Sequence, residues 1–161
     1  MRATGTVLGA AVLAIGLAAC GDGHSPPVRT PAGEWAANAI GVIEQLRADG
    51  VAASDGDNLA AARAALRDES RLYGLVVAYT DFGGCRHMTS ALGAAPAGFG
   101  DTTRALAGAC ADLERAATLF TRAATNTDAP SLVAAARAVR AAAPLLDRAE
   151  LDVRRTTPTS P

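Results

Sequence analysis

Residues 101–126, DTTRALAGACADLERAATLFTRAATN, decide the fold. Leu106, Cys110, Leu113, Ala117, Phe120 and Ala124 recur there at spacings of four, three, four, three and four, the period that lines one face of an α-helix. Asp101 or Thr102 is placed to open this helix, and Asn126 to Asp128 forms the turn after it. Asp128 can cap a further helix with Pro130 in its first turn, where a missing amide proton costs little. The stripe of that helix is Leu132, Ala135, Val139, Ala142, Leu146, Ala149 and Val153. Pro144 falls inside it, so a kink is expected between Arg140 and Pro144.

Upstream the same period continues. A first helix is predicted from Glu34 to Asp49, with Trp35, Ala39, Val42, Ile43 and Leu46 on one stripe and Gly50 as its stop. Residues 51–57 read as a loop. Asp57 or Asn58 then caps a second helix whose stripe is Leu59, Ala62, Leu66, Tyr73, Val76 and Val77. Leu75 to Thr80 also has strand character, but the chain holds no second β-rich run to pair with it. Gly83 and Gly84 interrupt or bend the second helix, and Cys85 to Leu92 forms a continuation or a short separate helix. Gly93 to Gly100, with Pro96 inside, is the clearest turn. The expectation is therefore an all-α fold: an up-down antiparallel bundle of about four helices over residues 34–155. The Thr-, Ser- and Pro-rich residues 156–161 are expected to form a disordered tail.

Composition agrees with one small domain. The chain has 161 residues, half of them apolar, which suits a single core. Only 4% are aromatic and about a quarter are Ala, so that core is thin. The 15 basic residues, all Arg, nearly balance 16 acidic ones. No electrostatic footprint points to nucleic acid. A disordered polyampholyte, a collagen-like repeat and a Lys-rich coil are likewise excluded. Arg in place of Lys, with abundant Ala, Gly and Pro, is what GC-rich codons produce, and it suggests a high-GC bacterium.

The amino terminus reads MRATGTVLGAAVLAIGLAAC. Arg2 supplies a positive start and Val7 to Leu17 an apolar run too short for a comfortable membrane span. Residues 1–19 thus have the signal-peptide pattern. The last four residues, Leu17-Ala18-Ala19-Cys20, resemble the lipobox of bacterial lipoproteins. That resemblance implies a diacylglyceryl group on the Cys20 thiol, cleavage after Ala19, and an acylated terminus carrying chains such as palmitate. Several acyl chains at one residue hold more firmly than one. The alternatives are an ordinary secretory signal with a coincidental Cys, or a plain membrane anchor. Loss of residues 1–19 leaves 14 basic and 16 acidic groups, a net charge of −2. Residues 20–33 then comprise the lipidated Cys20 and a tether rich in Gly, Pro and polar residues, which buries nothing. The implied location is the cell membrane, lipid-anchored and facing the extracytoplasmic side.

Cys85 and Cys110 remain as a pair in a compartment where disulfides persist. Each lies a similar distance from the turn at 93–100, so antiparallel helices set them side by side. A disulfide closing that loop stabilises by roughly 3.5 kcal/mol in the chain-entropy model. A metal or redox site is the competing reading of Cys85, His87 and Cys110, but Cys-x-His is not a usual zinc spacing and a fourth ligand is missing.

Other chemistry is sparse. His24 lies in the tether, leaving His87 alone in the domain. There is no Gly-x-Ser-x-Gly motif, no Glu-x-x-His pair and no phosphate-loop Lys after Gly98-Phe99-Gly100. Neither catalytic nor metal-ligating residues nor a cofactor are assigned. Asp55, Asp57, Asp68, Glu69, Asp112 and Glu114 are expected on turns and exposed faces, with local pairs Asp68–Arg71 and Glu150–Arg154. Arg63, Arg67 and Arg71 share one helical face in this reading, either as a solvated stripe or as a contact for headgroups or an acidic partner. Trp35, Tyr73, Tyr79 and Phe82 are expected in the core or at the bundle ends.

Residues 85–153 resemble small helical envelope lipoproteins of high-GC bacteria, which carry a Cys-containing helix, a Pro-bearing turn, a Leu-x-x-x-Cys-x-x-Leu helix and an Ala/Leu-rich helix. The resemblance implies location and architecture and carries over no activity. The functional expectation is a non-catalytic, lipid-anchored binding module. Its partner is the membrane through Cys20, with an envelope protein as a further partner. The alternative is an apolar or amphipathic ligand held between the helices around Gly83, Gly84 and Pro144, and an enzyme is the remaining reading.

Overall fold

The computed structural model describes residues 30–157, all helix and connecting turns, with no strand among them. The helices are α1 (Pro31–Ala52), α2 (Leu59–Ala65), α3 (Glu69–Gly83), α4 (Cys85–Ser90), α5 (Gly100–Asn126) and α6 (Ala129–Thr156), with a 3₁₀ turn at Ala53–Gly56. The expected second helix is thus three helices, which takes the count from about four to six among the described residues.

α5 and α6, 27 and 28 residues long, pack against each other as the spine of the fold. Each spans about 40 Å at 1.5 Å per residue. Ala109, Ala116 and Ala123 on α5 repeat every seven residues, as do Ala135, Ala142 and Ala149 on α6, and all six are fully buried. Small side chains at a heptad period let two helix axes run close together, toward the lower end of about 8–10 Å. Leu106, Leu113 and Phe120 from α5, with Leu132 and Leu146 from α6, supply the bulk around this seam.

Local chemistry explains most helix ends. The Thr30 hydroxyl accepts the Gly33 amide at 3.1 Å and a Pro occupies the first turn, so α1 starts at Pro31, three residues before the expected Glu34. Gly50 does not stop it: α1 continues to Ala52 and the 3₁₀ turn. Asn58 caps α2 as expected, accepting from the Ala60 and Ala61 amides. The Asp68 carboxylate accepts the Arg71 amide at 3.1 Å and so begins α3, ending the helix that periodicity alone runs onward. α5 begins at Gly100 rather than at Asp101 or Thr102. The Thr102 hydroxyl, fully buried, instead donates to Asp152 on α6 at 2.5 Å. Thr127, at φ 52°, ends α5 in the left-handed region. α6 passes through Pro144 to Thr156 without ending there. Arg140, whose carbonyl loses its amide partner to that Pro, and Pro144 are both exposed, so water can satisfy the carbonyl.

The stripes of α1 and α6 are buried as their spacing predicts, Val42 being half-buried. On α5, Ala117 is half-buried and Ala124 exposed, because Ala109, Ala116 and Ala123 turn inward instead. α3 departs more strongly. Leu75, Ala78, Tyr79 and Phe82 face the core, while Tyr73, Val76 and Val77 of the expected stripe face outward, as does Leu59 on α2. Tyr79 stacks on Phe120 with centroids 4.4 Å apart and planes 4° from parallel, and meets Phe82 edge-on at 5.4 Å. Burial of two aromatic rings outweighs that of two Val side chains, which sets the rotation of α3.

The alanine seam predicts a sharp contrast. Ala142→Leu should lower the free energy of unfolding by about 1–3 kcal/mol, whereas Ala141→Leu, on the exposed side of the same turn, should leave the urea midpoint nearly unchanged.

Candidate functional site

α3 and α4 carry the features that the core does not use. From Leu72 to Thr80 the chain has nine residues without a charge. Leu75, Ala78 and Tyr79 of this run turn inward. Tyr73, Val76, Val77 and Thr80 stand at i, i+3, i+4 and i+7 on the opposite side, at one face of the helix. Tyr73 is 72% exposed, Val76 43% and Val77 47%. The Thr80 hydroxyl donates to the Val76 carbonyl at 2.7 Å, so its hydrogen is spent on its own helix. A Cβ added at Gly74 would meet nothing within 4 Å. The result is an uncovered apolar strip about two turns long. Sequence periodicity assigned these residues to the core because α3 is apolar on both sides, and two apolar faces leave the phase of a helix undetermined.

α4 follows directly, and its Cys85 sulfur lies at disulfide distance from that of Cys110 on α5, with Cα atoms 5.3 Å apart. Both residues are fully buried. Arg86 pairs with Glu114 across the same two helices at 2.8 Å. Beside them lies a groove of about 580 Å³ whose lining includes Trp35, Arg86, Thr89, Leu92, Thr103 and Leu106. Trp35 leans on Phe99 with centroids 4.9 Å apart, and its buried Nε1–H has no acceptor. A second groove of about 740 Å³, between α5 and α6, is charged: Asp101, Arg104, Asp147, Arg148, Asp152 and Arg155 line it. Neither groove is lined by Gly83, Gly84 or Pro144, around which the sequence suggests a ligand.

Other expected residues fall as follows. Arg63 is on α2, Arg67 in the turn after it and Arg71 on α3, so the break at Asp68 divides the expected arginine face. Arg71 pairs with Asp68 at 3.6 Å, and Arg154 with Glu150 at 2.6 Å, as their spacings suggest. Tyr79, Phe82 and Trp35 are buried, but Tyr73 is not. His87 sits exposed on α4, and no hydrogen bond reaches its imidazole among the described residues. Cys20, His24 and the signal-peptide pattern lie outside the described residues.

Two electrostatic features had no local signature. Arg47 on α1 bridges Asp147, at 2.6 Å, and Glu150 on α6. The hydrogen bonds from Arg47 and then Arg154 hold the Glu150 carboxyl below the usual range. Asp49, only 8% exposed, faces Asp81 of α3, and Gln45 donates to both, at 3.1 and 3.4 Å. Burial first, and then the Asp81 charge, push the Asp49 carboxyl up, against the Gln45 hydrogen bond. Residues 32 positions apart make this pair, which is why no spacing rule reveals it. Among the described residues no cluster of three potential ligands could hold a metal, and no helix is long and apolar enough to cross a membrane. No family model, curated protein or solved structure matches the chain.

The Asp49–Asp81 contact sets a pH dependence. A carboxyl whose folded-state pKa is raised contributes stability below its unfolded value of about 3.9 and loses it as pH rises through the folded value. Asp49→Asn should therefore raise the melting temperature at pH 7, by roughly 1 kcal/mol in stability, and the gain should vanish below about pH 4. Thermal melts across pH 3–8 read this directly, and an equal gain at every pH would contradict it.

Proposed function

We propose that the chain is a lipid-anchored helical module of the cell envelope, tied by Cys20 to the extracytoplasmic face of the membrane, and that it binds rather than catalyses. The observation that carries the binding role is the outward strip of Tyr73, Val76 and Val77 on α3. A helix at the surface of a domain needs one apolar face to fold, and a second, uncovered one marks a contact surface. The anchoring rests on Leu17-Ala18-Ala19-Cys20 and the charged start and apolar run before it. Anchoring also gives a modest strip its use, since a tethered domain meets its target at high effective concentration.

Metabolic labelling with an alkyne analogue of palmitate, followed by membrane fractionation, tests the anchor. The wild-type chain should take up label and sediment with membranes. Cys20→Ala should be unlabelled and either released or left unprocessed. Unchanged labelling and retention of that variant would refute the assignment.

The groove beside Trp35 favours a second reading, a small amphipathic ligand. Its volume, about 580 Å³, lies in the range of about 300–1,000 Å³ typical of ligand sites. Its wall includes an indole whose N–H lacks an acceptor. Trp35 is the single Trp of the chain, so its emission reports on this wall alone. Titration with lysophosphatidylcholine below its micelle concentration should shift that emission saturably, and Ala107→Phe, which fills the groove, should abolish the shift. Constant wild-type emission would dismiss this reading.

A further inference from the structure

We infer that the outward strip of α3 rests on the lipid surface to which Cys20 ties the chain, so that the bundle lies on its side on the membrane instead of standing away from it. This deepens the proposed anchoring and depends on it. Three observations lead here.

The first is reach. The chain leaves the described fold at Thr30, ten residues after Cys20, and ten extended residues span at most roughly 35 Å. α3 runs antiparallel to α1: α4 lies beside Ala37 to Gln45, and Asp81 lies beside Gln45 and Asp49. Gln45 is fourteen residues into α1, and Val77 is one turn before Asp81. The centre of the strip thus lies roughly 30 Å along the bundle from Thr30, within that reach. One plane can meet both the strip and the anchored end of the tether.

The second is area. The strip consists of one largely exposed Tyr and two half-exposed Val, far short of the roughly 800 Å² per partner of a stable protein interface. That is too little to hold a second protein from solution. It suffices for a surface already held close by an anchor.

The third is chemistry. Val76 and Val77 are apolar without charge, and Tyr73 presents an apolar ring with a polar tip, a combination favoured at the boundary of lipid and water. The cations that flank the strip along the chain are paired, Arg71 with Asp68 and Arg86 with Glu114. Contact should therefore depend on the apolar strip, and hold on neutral and anionic lipid alike at high salt.

The test uses the purified full-length lipoprotein in phosphatidylcholine vesicles, with an environment-sensitive NBD label at Val77→Cys and, as control, at Arg122→Cys, an exposed position on α5. Mass spectrometry of the amino terminus reports the lipid on Cys20 independently. With the lipid present, the Val77 label should shift to the blue, as expected for transfer out of water. It should also be quenched by doxyl-labelled lipid, while the Arg122 label does neither. A Val77 label as water-exposed as the control, on a chain carrying its lipid, overturns the docking and leaves the anchor standing. A chain without lipid overturns both. A blue shift that grows with protein density and coincides with Val77–Val77 crosslinking assigns the strip to a second copy, and also overturns the inference.

Discussion

The close contact of α5 and α6 along their alanines is the constraint on which the other helices depend. Ala109, Ala116 and Ala123 on one helix and Ala135, Ala142 and Ala149 on the other are fully buried at a seven-residue period. Side chains this small contribute little burial each, so the stabilisation comes from how closely the two long backbones approach and how much surface they cover between them. Bulkier residues at the edges of the seam, Leu113, Phe120, Leu132 and Leu146, form the surface on which α1 and α3 pack. With few aromatic residues in the chain, this pair provides the only long scaffold among the described residues.

The smaller helices are fixed onto that scaffold by individual contacts. α1 is held to α6 by Arg47 with Asp147 and Glu150, and its other end rests through Trp35 on Phe99, just before α5. α3 is held to α5 by Tyr79 on Phe120, and α4 by Cys85 against Cys110 and by Arg86 with Glu114. One contact works against the others. Asp49 and Asp81 bring two carboxyl groups together at the seam between α1 and α3, with Gln45 as the bridging donor. A buried charge facing a like charge is disfavoured at neutral pH, so this contact opposes the packing of α1 on α3 there. Asp81 lies one turn beyond Val77, toward the carboxyl end of α3.

Helical character was legible throughout, because apolar period and capping residues act over four residues or fewer. The stripes of α1 and α6, the Asn58 cap, the separate helix at Cys85 and the turn containing Pro96 all follow from such local chemistry. So does the approach of Cys85 to Cys110, once two antiparallel helices join at a known turn. The break at Asp68 was also written locally, in a capping carboxylate three residues before the Arg71 amide. It was masked by Leu, Tyr and Val residues that continue a helical period across it. The division of Arg63 from Arg71 follows from that break.

Period, caps and turns along the chain were enough to establish that it is all helical and where most helices begin. They could not establish which side of α3 faces inward. Its two apolar faces satisfy the same periodicity, and the choice between them is made by Phe120, which lies 41 residues beyond Tyr79 and offers a flat ring on which it can stack. The uncovered strip, the groove at Trp35 and the Asp49–Asp81 contact arise the same way, from residues far apart in the chain. Their positions depend on the packing of whole helices, which no short stretch of residues encodes.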